Sequence, residues 1–63
     1  MNEEIAAGIR EMLVEVRGDM NDPRMRTYLK SATIGKTLYE IYEISKATVL
    51  LKEQYDLGLF QSI

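Results

Sequence analysis

Ser31-Ala32-Thr33-Ile34-Gly35-Lys36-Thr37-Leu38-Tyr39-Glu40 is the stretch whose reading decides the fold. Its Gly35-Lys36-Thr37 is the tripeptide that closes a phosphate-binding loop. That loop needs a first glycine five positions earlier, so that backbone N–H groups curl around the phosphates, and a preceding strand. Lys30 occupies the position and no strand precedes it. The stretch is therefore expected to be a patch of small residues, Ser31 and Gly35 four apart, where another helix can approach closely. Two readings follow. Thr37-Leu38-Tyr39-Glu40 has the Ser/Thr-x-x-Glu form of a capping box, and Gly35 before it could end a helix, which makes three helices. A lone glycine, however, costs only about 1 kcal/mol in a helix interior. The expectation is therefore one continuous second helix, about 24–56, with the break at Gly35 as its competitor.

Working outward, Ile34, Leu38, Ile41, Ile44, Thr48, Leu51 and Tyr55 make one face of that helix, with Tyr42, Ser45 and Val49 at its margins. Leu50 points away from the stripe. Leu57-Gly58 stops the helix, Gly58 being suited to a left-handed C-terminal position. Upstream, Ile5, Ile9, Met12, Leu13 and Val16 mark a first helix, about 3–18, capped by Asn2 with Glu3 and Glu4 in its first turn. Arg10 and Arg17 flank its stripe on one side and Glu4, Glu11 and Glu15 on the other, the layout of a helix docked between neighbours. The segment 18–23 is the turn, where Asp22 caps and Pro23 takes the first helical position.

These elements predict an all-α antiparallel helical hairpin, a single domain over 1–63. At 1.5 Å per residue its second helix is about 50 Å long and its first about 24 Å, so half of the longer helix lies uncovered. A chain of 63 residues without cysteine or histidine has no disulfide, no ordinary zinc site and no His-based chemistry to steady it. Self-association is the remaining device, and two hairpins packing as a four-helix bundle is the expected form. Its interface is expected at Ile34, Leu38, Ile41, Ile44, Thr48, Leu50, Leu51 and Tyr55.

A net charge of −2 argues against a surface that tracks phosphates throughout. Arg24, Arg26 and Lys30 remain a local candidate for nucleic-acid contacts. Glu40-x-x-Glu43 and Glu53-x-x-Asp56 resemble the paired acidic motifs of all-α nucleotide pyrophosphohydrolases, but on one helix they spread over more than half the circumference, on the wet side, where they cannot converge on magnesium. No metal, cofactor or catalytic group is expected. The acidic start Met1-Asn2-Glu3-Glu4 is unlike a secretory leader and no apolar run spans a bilayer, so a cytoplasmic protein with no membrane contact is expected. The tail Leu59, Phe60 and Ile63 either completes the core beneath Tyr55 and Leu51 or docks elsewhere. Together with outward-facing Tyr39, it is the candidate contact for a protein partner. The function these features suggest is that of a small non-enzymatic homodimeric adaptor or regulator, of a kind that phages, viruses and plasmids encode, with nucleic-acid binding as the alternative.

Overall fold

The structure, a computed structural model, describes residues 2–60. Three helices run in order: α1 Glu3–Glu15, α2 Pro23–Thr33 and α3 Leu38–Asp56. There is no strand among the described residues. The all-α expectation holds, but the two-helix hairpin does not. The expected long second helix is two helices, and the break falls at Gly35.

Local chemistry makes that break. Ile34 takes φ −63° and ψ 130°, Gly35 takes φ 75°, and the Lys36 N–H donates to the Thr33 carbonyl at 3.2 Å. This is a type II β-turn, whose third residue must adopt the positive φ that glycine accepts without a Cβ penalty. The Thr33 hydroxyl donates to the carbonyls of Leu29 and Lys30, the second of which the end of α2 leaves without an N–H partner because the Ile34 N–H goes to Ser31. Thr37 then opens α3 with a complete capping box. Its Oγ1 accepts from the Glu40 N–H at 3.1 Å, and Glu40 Oε1 accepts from the Thr37 N–H at 2.8 Å.

A cap of this kind contributes about 1 kcal/mol, the same size as the cost of an interior glycine, so local terms alone barely choose between the readings. Packing decides. Once the chain turns, α3 returns alongside α1 and buries Ile44, Thr48 and Leu51 within the same molecule. Ile44 and Leu51 each contribute roughly 1.5–3 kcal/mol on burial. The length mismatch that made a two-hairpin dimer the expected remedy is thereby absent: the surplus length goes into a third helix.

The bundle runs up, down and up. Asn2 and Ile5 lie beside Tyr39, Glu40 and Glu43, and Gly18 beside Tyr55, so α1 and α3 are parallel and α2 opposes both. α1 sits between the other two, which touch each other least. Its stripe supplies Ala6, Ile9, Leu13 and Val16 to the core, joined by Met25 from α2 and by Ile44 and Leu51 from α3. Tyr28 lies across Gly8, where any Cβ would collide with its ring, and its hydroxyl donates to the Ile5 carbonyl at 3.4 Å. Burial, with the carboxylates of Glu11 and Glu4 nearby, pushes the Tyr28 phenol above its usual value.

The helix ends follow local rules. Asn2 Oδ1 accepts from the Glu4 N–H at 2.7 Å, and Asp22 Oδ1 from the Arg24 N–H at 2.8 Å with Pro23 at the first position. α1 stops at Glu15, short of the expected residue 18, because Arg17 and Gly18 both turn left-handed, at φ 54° and 74°. The Gly18 N–H reaches back to the Leu13 carbonyl and the Arg17 N–H to that of Val14, a Schellman motif. The end of α3 repeats it. There Leu59 donates to Gln54 and Gly58, at φ 78°, donates to Tyr55.

Candidate protein-binding surface

Closing the three-helix core leaves α3 with more apolar residues than it buries. Four of its exposed side chains are large and hydrophobic on its outer flanks: Leu38, 86% exposed, Tyr42, 59%, Val49, 62%, and Leu50, 55%. Tyr39 is exposed as well, as the sequence predicts. Tyr42, Ser45 and Val49 are exposed and are not the core-margin residues their spacing suggests. At about 100° per residue they lie with Leu38 on the flank of α3 turned away from α1. Isolated exposed apolar residues are ordinary on a small protein, but a row on one helix is a candidate interaction surface.

The expected dimer-interface set divides in two. Ile44, Thr48 and Leu51 are buried in the chain's own core, with Tyr55 and Ile41 half-buried at its edge. They are closed off by α1 and α2, because the helix that carries them folds back instead of running on. Ile34, Leu38 and Leu50 remain open, Ile34 being displayed by the turn itself. Thr48 enters the core at no polar cost, since its hydroxyl donates to the Ile44 carbonyl at 2.7 Å.

Beside this flank, Leu29 and Thr33 of α2 face Ile44, Ser45 and Thr48 of α3 across a shallow, mainly apolar groove. α2 and α3 pack against each other less closely than either packs against α1. Lys46 stands near the row, its ammonium 5.2 Å from the centre of the Tyr42 ring and 3.9 Å from the Glu43 carboxylate. Further along, Lys52 and Asp56 pair at 2.7 Å.

The basic candidates separate. Arg24 is tied back to Asp22, whose Oδ2 accepts from its guanidinium at 2.8 Å, and this bond holds the Asp22 carboxyl below its usual value. Arg24 and Arg26 point to opposite flanks of α2, whereas Arg26 and Lys30, four residues apart, share one. No carboxylate lies within 4.0 Å of either among the described residues. The acidic candidates do not converge: Glu40 serves the capping box, Glu43 faces Lys46 and Asp56 faces Lys52. Among the described residues no three such groups gather as a metal site, and no helix is long and apolar enough to cross a membrane.

At the C-terminal end, Phe60 packs edge-on against Tyr55, ring centres 5.9 Å apart and 71° between planes, while Leu59 stays exposed. Leu59 and Phe60 line an apolar groove with Ala7 and Val14 of α1. The remaining tail candidate, Ile63, lies outside the described residues. Sequence reasoning missed Met25 and Ala6 as core residues and the seating of Tyr28 on Gly8. Only the glycine hinted at the last of these. Comparison with known protein families, with curated proteins and with solved structures finds no match for this chain.

Proposed function

We propose that this protein is a small non-enzymatic helical adaptor or regulator, homodimeric, that works by presenting the outer faces of α3 to other protein surfaces. The row of exposed apolar side chains on α3 carries this reading. A bundle of this size has little apolar surface to leave uncovered, and aromatic and aliphatic side chains grouped on a rigid helix are what protein interfaces use as anchors. Leu38, Tyr42 and Val49 serve self-association. Tyr39 and Leu50, on the other flank, face the partner, with Leu59 as a second contact.

Affinity capture from the native host, with wild type compared to a Tyr39→Ala/Leu50→Ala variant, tests the adaptor role. Loss of a captured protein with melting temperature and solution mass unchanged supports it. Equal capture by the variant refutes the assignment of that face.

The shared, carboxylate-free flank of Arg26 and Lys30 favours one alternative, binding to nucleic acid. It calls for affinity that falls with salt at a slope reflecting about two phosphate contacts, and for a shallower slope after Arg26→Gln/Lys30→Gln.

A further inference from the structure

We infer that self-association, on which this inference rests, is an antiparallel pairing of α3 with α3 of a second copy, in a single register that sets Leu38 opposite Val49 and Tyr42 opposite Ser45. Leu38, Tyr42, Ser45 and Val49 are all exposed and recur four, three and four residues apart, the spacing of a two-helix seam. The same seam continues into Lys52 and Asp56, which pair with each other at 2.7 Å. Its apolar half thus ends where its charged half begins.

Charge selects the register. Parallel pairing brings Lys52 against Lys52 and Asp56 against Asp56 of the second copy, like charges meeting inside the contact. Sliding the antiparallel pair by one heptad sets Leu38 against Asp56 and Tyr42 against Lys52, which strips water from charges and gives them apolar neighbours. The Leu38–Val49 register does neither. It overlaps the helices only between residues 38 and 49 and leaves both Lys52–Asp56 pairs beyond the crossing. The flank of the incoming helix rests on the groove of Leu29, Thr33 and Thr48.

Area agrees. The exposed parts of Leu38, Tyr42 and Val49, with the margins of Ser45, Ile41 and the groove, come to at most roughly 500 Å² per copy when wholly covered, and so at most roughly 1,000 Å² per pair, the size of a weak, transient interface. The dimer is accordingly one that exchanges subunits, not a permanent one.

Disulfide trapping tests the register, and the absence of native cysteine makes it clean. Leu38→Cys and Val49→Cys are prepared separately, each checked for a wild-type-like melt, and oxidised alone and as an equimolar mixture. In the inferred register the two like cysteines of either variant lie about 16 Å apart along the helices, too far to bridge, whereas the thiol introduced at position 38 of one copy meets the thiol introduced at position 49 of the other. The expected result is a mixed disulfide as the main product of the mixture and little disulfide from either variant alone. Like-with-like disulfides overturn the register. A dimeric wild-type mass without the mixed disulfide overturns the seam and leaves the homodimer reading standing, and a monomeric wild-type mass overturns both.

Discussion

Replacing Gly35 probes the turn that makes three helices out of two. Its φ of 75° costs an L-residue about 1–2 kcal/mol, and no atom lies within 4 Å of where a Cβ would stand, so backbone conformation is the whole effect. In a domain this small each kcal/mol moves the melting temperature by roughly 4–8 °C, so Gly35→Ala is expected to lower it by roughly 5–15 °C. Gly35→Asn, which tolerates the left-handed region, is expected to lose less, and Gly35→Val more, since a β-branched side chain fits that region worst. The assay is thermal unfolding followed by circular dichroism at 222 nm. The order Gly, Asn, Ala, Val is what the type II turn requires. Alanine equal to or better than glycine would mean that residue 35 is helical, as in a continuous second helix, and would refute the reasoning.

Arg17 occupies the left-handed position that glycine holds at the end of α3, so Arg17→Gly is expected to stabilise the protein by about 0.5–1 kcal/mol and Gly58→Ala to destabilise it by about 1 kcal/mol, both read from denaturant titrations. Gly8→Ala removes a helix-interior glycine, worth about 1 kcal/mol, but displaces Tyr28; it is expected to destabilise wild type and to stabilise a Tyr28→Ala background, a change of sign in one double-mutant cycle. The Thr37 N–H and hydroxyl hold the Glu40 carboxyl below its ordinary 4.5. Its contribution is therefore complete above that pH and is lost as the pH falls through the lowered value. The stability advantage of wild type over Glu40→Gln should shrink on acidification, and a difference independent of pH contradicts the assignment.

Signals that live within a few residues were legible in the sequence. Asn2, Asp22-Pro23 and Gly58 act where their chemistry places them, and the α1 stripe faces the core between two neighbours. The capping box at Thr37 and the glycine before it were equally visible. They were outweighed because the local energies on either side are both near 1 kcal/mol, and the deciding term is the burial of Ile44, Thr48 and Leu51 against α1, which no window of sequence contains. The same limit explains the interface residues. Periodicity groups Ile44, Thr48, Leu51 and Tyr55 on one face but does not say whether that face meets the chain's own α1 or another molecule. Leu50 and Tyr39 were legible as outward-facing; Tyr42, one step off the stripe, was not. Tyr28 seated on Gly8 is a contact between elements, set by how two helices cross.

Sedimentation equilibrium across the micromolar range, on wild type and on Leu38→Glu/Val49→Glu, tests most directly whether the open flank of α3 binds a second copy. Wild type is expected to shift reversibly toward twice the chain mass with rising concentration, and the charged variant to stay at one chain mass with the same helical content. A wild-type chain that remains folded at the single mass throughout, or a variant that still pairs, contradicts the assignment of that flank.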